Sequence, residues 1–416
     1  MNVEMNYITQ IEGHGIIHFE IVDGKPEVRM EVHEGARLFE SFLRNRRADE
    51  VIAMSSRICG VCPVVHNYAA VQAVENAMGI EVSEQTKLLR RLGNVGQMLQ
   101  SHALHLYVLA LPEYLNADGV VDVYMRNPEA VKRALKIRNV GNLIVEVVSG
   151  RAVHPVSSVP GGFAKLPTRT ELKRVVKELK GILDDCIETY NLAASIKYPE
   201  FQRKTEYSAI DDGKRYPSYE GMIVSSEGVR APAKEYRKYT NEVFRPYSHT
   251  KFSTRNGHGF FVGAIARVNL FGDRLGEKAK ELAKNGPVKF PSYNPFHNLV
   301  AQALELVHYA EEGIEIASRL AKTLKEEKPQ KIVKAGTGVG VVEAPRGTLF
   351  HEYTVDANGI VKEANIITPT AQNVQNIEED LTALLSANMN RPREELVRLT
   401  EALLRAYDPC FSCSTH

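Results

Sequence analysis

Arg57-Ile58-Cys59-Gly60-Val61-Cys62 and Asp408-Pro409-Cys410-Phe411-Ser412-Cys413 stand near opposite ends of the chain, followed by His66 and His416 respectively. Two cysteines separated by two residues can turn both sulfurs on one metal ion. If one centre takes both pairs, the fold must bring its two ends together across the 347 residues between Cys62 and Cys410. Four soft thiolates suit zinc, an iron–sulfur cluster, or nickel with iron. A zinc ribbon pairs its C-x-x-C units within a few tens of residues, so this separation counts against a structural zinc site. A thioredoxin-like redox pair needs one motif in a βαβ setting, which the flanking sequence lacks. The fifth cysteine, Cys186, stands away from both pairs and reads as a small packing residue. An odd number of cysteines, four of them paired in this way, is not a secreted disulfide framework.

Working outward, helical patterns dominate. Ser83 caps a segment reaching about Leu111, with Leu88, Leu89, Leu92, Val95 and Leu99 at helical spacing. Asn127-Pro128 starts a second helix and Asn294-Pro295 another, towards Leu324. Thr168-Arg169-Thr170-Glu171 fits a capping box for a helix to about Ile196. Two more helices are expected from about Ile377 and Arg393. An N-terminal hairpin spans about 5–33, with Gly15–Val22 and the alternating Val28, Met30 and Val32 as arms and Asp23-Gly24-Lys25-Pro26 as turn. A second hairpin pairs Phe350–Val355 with Ile360–Ile367 around Asp356-Ala357-Asn358-Gly359. Residues 200–270 read as irregular strands and loops, with Met222–Ser225 and Phe260–Leu270 as strand candidates. The expectation is one α+β domain over 1–416, mainly helical, with a bundle of long helices as core and small β-hairpins.

Of the 416 residues 44% are hydrophobic, enough for a large core. The 52 basic and 51 acidic side chains leave a net charge of +1, which gives no field to draw nucleic acid or an anionic membrane. The opening MNVEMNYITQIEGHG lacks the apolar stretch of a secretory signal, and no apolar run approaches the ~20 residues that span a bilayer. A soluble, cytoplasmic protein is expected.

RICGVCPVVH and DPCFSCSTH resemble the two metal-binding signatures of nickel–iron hydrogenase large subunits, R-x-C-G-x-C-x-x-x-H and D-P-C-x-x-C-x-x-H, at every defined position. The resemblance extends along the chain through QIEGHG (10–15), RLFESFL (37–43), HALHLY (102–107), GRAVHPVSSVPGG (150–162), EAPRGTLFH (343–351) and TPTAQN (368–373). Its flavour is that of the cytoplasmic multimeric enzymes, such as the sulfhydrogenases, that serve NAD(P), deazaflavin or another soluble carrier. The fold implied is the large-subunit fold of that family. The activity implied is reversible heterolytic cleavage of dihydrogen, with electrons passed to an iron–sulfur small subunit and on to flavin- or nicotinamide-binding, diaphorase-type subunits.

By this resemblance Cys59 and Cys410 are terminal ligands of nickel, and Cys62 and Cys413 bridge nickel to an iron that carries one carbon monoxide and two cyanides. Glu12 matches the carboxylate that takes a proton from Cys410. Arg346 matches the guanidinium over the open coordination position, and Pro345, Arg346 and Thr370 match the groups around the cyanides. His66 matches a histidine beside the bridging cysteine Cys413. Glu40, His416 and the Ile366 carbonyl match ligands of a small cation, magnesium or iron, that pins the C-terminal segment. The family's tail is cut at this histidine, so an end at His416 implies the processed form. Without the family, Glu12 would read as a surface glutamate, His66 as a core histidine and Arg346 as a buried ion-pair partner. The sequence departs from the family at Gln10, at Ala36 and Leu38, and at Pro112-Glu113, where many relatives carry Asp. The acidic partner of Arg346 is therefore left unassigned. Two other classes remain to be separated: a structural subunit akin to the quinone-site subunit of complex I, which has lost these ligands, and a zinc-stabilised scaffold.

Overall fold

The computed structural model describes residues 3–5, 8–22, 25–330 and 332–416. Its body is four long helices, Glu84–Leu104, Pro128–Ser149, Arg169–Ser195 and Asn298–Thr323, packed on one another. Their starts follow the local signals. Ser83 Oγ accepts from Thr86 N at 3.0 Å, Asn127 Oδ1 from Ala130 N at 3.1 Å, and Thr168 with Glu171 forms a complete capping box. Leu88, Leu89, Leu92, Val95 and Leu99, spaced to share a face, are all buried in the common core.

The first long helix does not continue regularly to Leu111. At His105–Ala110 it widens into a π turn, and Leu111–Tyr114 follows as a short α-helix. Pro112 explains the change: it has no N–H to continue the α ladder, and its ring would strike the carbonyl four residues back. Two other expectations are corrected. Phe260–Leu270 is not a strand: Phe260–Phe261 makes a short parallel pairing with Glu206–Tyr207, and Ala264–Phe271 is a helix. Gly263, at φ 130°, turns the chain between them. The nearly continuous apolar run hid the helical period because Ile265, Ala266 and Val268 are buried on several sides. The helix expected from Ile377 starts at Pro369, with Thr368 ahead of it and proline in its first turn.

The N-terminal hairpin forms as Gly15–Val22 against Lys25–Val32, with Val3–Met5 added on the free edge of the first arm; Asp23-Gly24 of its expected turn lie outside the described residues. The second hairpin also forms, from Gly347–Val355 and Val361–Ile367. A strand the periodicity did not suggest, Gly336–Ala344, completes a three-stranded antiparallel sheet. Gly336, Gly338 and Gly340 alternate on one face of it, against the Pro63–Met78 helix. A Cβ at these glycines would lie 2.3 Å from Ala77 O, 2.1 Å from Ala77 N and 2.0 Å from Ala69 O respectively. Ala69, Ala73 and Ala77 recur every fourth residue, so a stripe of small side chains meets a ladder of missing ones. That contact sets the height of the helix that begins directly after Cys62.

Candidate metal centre

Cys62 precedes the Pro63–Met78 helix, and Cys410 precedes the turn Phe411–Ser414. Glu12 ties the two chain ends: its carbonyl accepts from Phe411 N at 3.0 Å and its carboxylate from Ser412 N at 3.1 Å. Arg37 closes the same seam, its guanidinium donating to the carbonyls of Ile58 and Ser412, the residues just before Cys59 and Cys413. The four sulfurs then converge. Cys59 and Cys410 lie 3.4 Å apart, Cys62 and Cys413 3.4 Å, Cys410 and Cys413 3.0 Å, and all four sulfurs lie within 4.8 Å of one another.

Such an array asks for a cation. Burial pushes the Cys410 and Cys413 thiols well above their usual range, whereas hydrogen bonding from Cys410 pulls Cys59 well below it. Four buried sulfurs cannot all ionise beside one another unless a multivalent soft ion balances them. The donor set fits nickel with iron.

Arg346 lies at the tip of the Gly336–Ala344/Gly347–Val355 hairpin. Its Nε donates to Asp408 O and its Nη2 to Asp408 Oδ1, both at 2.7 Å; its Nη1 reaches Ser101 Oγ at 3.4 Å. Burial opposes its charge, but Asp408 and the cysteines outweigh burial and raise its pKa well above the ordinary value. Asp408 is thus the missing acidic partner, from inside the D-P-C motif. It adopts φ 54°, a left-handed conformation that Asp tolerates better than most residues. Glu113 pairs with Arg405 instead. Behind the tip, buried Arg267 donates to Ala344 O at 2.9 Å and Pro345 O at 3.1 Å, while Glu305 and Glu343 hold its guanidinium. Thr370 Oγ1 accepts from Cys410 N at 3.0 Å, and His66 Nε2 lies 3.8 Å from the Cys413 sulfur.

This constellation has counterparts in known proteins. Residues 37–139 and 187–416 match the family described as nickel-dependent hydrogenase. The chain belongs to that family. It is 36% identical to sulfhydrogenase 1 subunit alpha of Pyrococcus furiosus over 418 aligned residues, covering 100% of this chain and 97% of that protein. It is 32% identical to sulfhydrogenase 2 subunit alpha of the same organism, over 100% and 99% of the two chains. The crystal structure of an NAD+-reducing [NiFe]-hydrogenase in its H2-reduced state superposes with a TM-score of 0.87 at 27% identity, covering 100% of this chain and 99% of that one. A Ni-Fe-Se hydrogenase from D. vulgaris Hildenborough shares the fold, with a TM-score of 0.77 at 22% identity and 100% coverage of both chains. This hydrogenase subunit is thus a catalytic oxidoreductase acting on hydrogen, and its α+β, mainly helical architecture is that of the family. The metal-free and zinc-scaffold readings are not favoured.

A second group of ligand atoms gathers around the C-terminal residue. Glu40 accepts from Ile366 N at 2.7 Å, and Glu40, Glu242 and His416 bring ligand atoms within 4.8 Å of one another. His416 Nδ1 lies 2.6 Å from Cys413 O and its Nε2 2.8 Å from Ile366 O. Burial, then Lys251, pushes this imidazole down to about 3, so it is neutral and carries a single N–H. With Nδ1 donating to Cys413 O, the Nε2 lone pair accepts from Lys251 Nζ at 3.2 Å and also stands 2.8 Å from the lone pairs of Ile366 O, a repulsion that a cation there would relieve. One carboxylate oxygen of Glu242 is buried without a partner, and burial raises this carboxyl to about 8 despite Lys251. Lys251 and Glu242, which sequence reasoning missed, frame this site: Lys251 Nζ lies 2.7 Å from Glu242, 3.1 Å from Glu40 and 3.2 Å from His416. The oxygen ligands of Glu40, Glu242 and Ile366 suit a hard ion, whose charge would favour the ionised form of Glu242. Among the described residues, no helix is long and apolar enough to cross a membrane.

Proposed function

We propose that this subunit cleaves and forms dihydrogen reversibly in the cytoplasm, at a nickel–iron centre held by Cys59, Cys62, Cys410 and Cys413, with carbon monoxide and two cyanides on the iron. The convergence of the four sulfurs beneath Arg346 carries the reading. When bound, the centre supplies the Lewis acidity and electron transfer that heterolysis of dihydrogen requires.

The protein's own groups would divide the rest of the work. Cys59 and Cys410 would bind nickel alone, and Cys62 and Cys413 would bridge to iron. Arg346, held by Asp408, places a permanent positive charge over the thiolates, where it can polarise an incoming diatomic. Pro345, Arg346 and Thr370 would line the iron's diatomic ligands. Glu12 pairs with Cys410 across an isolated backbone bridge, and its partial exposure would let it hand protons from Cys410 towards solvent. Glu40, Ile366 O and His416 would hold magnesium or iron and lock the last residues in place.

Electrons need a further subunit. Cys186 is buried in the helical core, so no cysteine is left to bind a cluster. The Cys59–Cys62 loop reaches the surface at Arg57 and Gly60. Beside it His154 Nδ1 donates to Ser56 O at 2.9 Å, next to the exposed Val153 and Val156. An iron–sulfur small subunit docked there, over an area well above ~2,000 Å² as in obligate assemblies, would take electrons close to the metals. Diaphorase-type subunits would carry them on to a soluble acceptor.

Infrared spectroscopy of the native complex tests the proposal. Bands of metal-bound carbon monoxide and cyanide, with nickel and iron present, are expected. A complex matured in its own host that contains zinc and lacks these bands would overturn it.

A further inference from the structure

A buried chain of three side chains leads away from the Cys413 sulfur. His66 Nε2 lies 3.8 Å from Cys413 Sγ, His66 Nδ1 3.0 Å from His351 Nε2, and His351 Nδ1 2.6 Å from the Tyr353 hydroxyl. None of the three side chains is more than 1% exposed. The sheet explains why they meet. His351 and Tyr353 lie two residues apart on one strand and therefore share a face. Their cross-strand partners are Gly340 and Gly338, the residues over which the Pro63–Met78 helix settles. Glycine removes the side chains that would hold the helix off, and the two large rings stand beside it, level with His66.

The chain has a direction. All three rings are sealed from water, where a charged ring is most costly, so each imidazole carries one N–H and the phenol keeps its proton. The 3.0 Å between His66 Nδ1 and His351 Nε2 then holds a single proton, one ring donating and the other accepting. A metal-bound thiolate only accepts, so His66 must carry its proton on Nε2 to face Cys413. Its Nδ1 then accepts, which requires the His351 proton on Nε2. His351 Nδ1 must in turn accept, and the Tyr353 hydroxyl donates to it. All three links are satisfied in this sense alone. In the reverse sense a lone pair of His66 would face a lone pair of the sulfur.

We infer that His351 and Tyr353 are positioning residues that fix the tautomer of His66 and so aim one N–H at the bridging sulfur of Cys413. This rests on the four-thiolate reading above. Hydrogen bonds in series polarise one another, so the hydroxyl at the far end strengthens the bond at the sulfur. An N–H on a bridging thiolate draws electron density from it and from the metals it joins, as outer partners of ligands do elsewhere. Removing the donors should make the metals more electron-rich.

The test uses infrared spectra of the intact complex in one redox state. His351→Leu leaves His66 Nδ1 without a donor, and its carbon monoxide band should move to lower wavenumber. Tyr353→Phe should move the band the same way by less. His351→Gln, whose amide can still donate to His66, should restore much of the wild-type position. Bands that stay in place in metal-loaded His351→Leu overturn the inference. So do 15N spectra of histidine-labelled wild-type complex that place the His66 proton on Nδ1. If His351→Leu loads no metal, the order of wild type, His351→Gln and Tyr353→Phe decides, and coincident bands in all three overturn it. A wild-type complex lacking diatomic bands altogether defeats the metal reading itself, an outcome that the band order cannot mimic.

Discussion

Gly340→Ala is the sharpest test of how the sheet places the metal centre. A Cβ there would lie 2.0 Å from Ala69 O and 2.8 Å from Ala73 N, both of them backbone atoms that no rotamer change can move aside. Side-chain carbons keep about 3 Å from such atoms, so helix and sheet must part by about 1 Å, and overpacking of this kind costs about 1–3 kcal/mol. Ala69 is one turn beyond His66, on the helix that starts after Cys62. A shift of about 1 Å at a reacting centre can cost about 10²-fold in rate. The variant complex should therefore show a lower urea midpoint, together with hydrogen oxidation to an artificial acceptor reduced by about two orders of magnitude or incomplete nickel loading. Gly181→Ala is the control. It lies on an exposed helix face with nothing within 4 Å of the added carbon, and it should gain about 0.5 kcal/mol. A Gly340→Ala complex with wild-type midpoint, nickel content and rate would refute the reasoning.

Three further outcomes are expected. Glu12→Gln keeps the shape and the acceptor for Ser412 N but cannot carry a proton; diatomic bands should be unchanged while turnover and exchange of dihydrogen with solvent deuterons both fall severely, and near-normal exchange would show that protons leave by another route. Asp408→Asn takes the counter-charge from buried Arg346 and should lower unfolding stability by about 3 kcal/mol, read by chemical denaturation; an unchanged midpoint would show that the cysteines alone compensate the guanidinium. Burial raises Glu378, which accepts from Met30 N and Tyr247 Oη, to about 7. With the folded pKa above the unfolded one, the folded protein binds the extra proton, so this group's contribution is present at acid pH and is lost as pH rises towards about 7. Glu378→Gln should flatten that part of a stability–pH profile, and a profile identical to wild type would exclude Glu378 as its source.

How far the sequence could be read depended on whether the signal was local. Ser83, Asn127 and the Thr168 box declare helix starts within four residues, and those starts lie where expected. The Pro63–Met78 helix declared nothing, because nearly every face of it is buried and no polar stripe gives it a period. Its partner strand was equally silent: Gly336, Gly338 and Gly340 have low strand propensity, and their value appears only when a helix lies on them. The site divides in the same way. The four cysteines announce themselves by spacing, whereas Arg346 finds Asp408 only because a left-handed residue between helix and proline turns its carboxylate inward. Lys251 and Glu242 sit in a stretch that reads as irregular and reach Glu40 and His416 through the tertiary fold alone. His351 lay inside a quoted motif, but nothing in EAPRGTLFHEY says which nitrogen faces what. That follows once the glycine ladder has lowered the helix and His66 has only one donor to receive from. The residues proposed to bind metal are thus legible from their chemistry, while the residues that would orient them become legible only through backbone contacts between segments hundreds of residues apart.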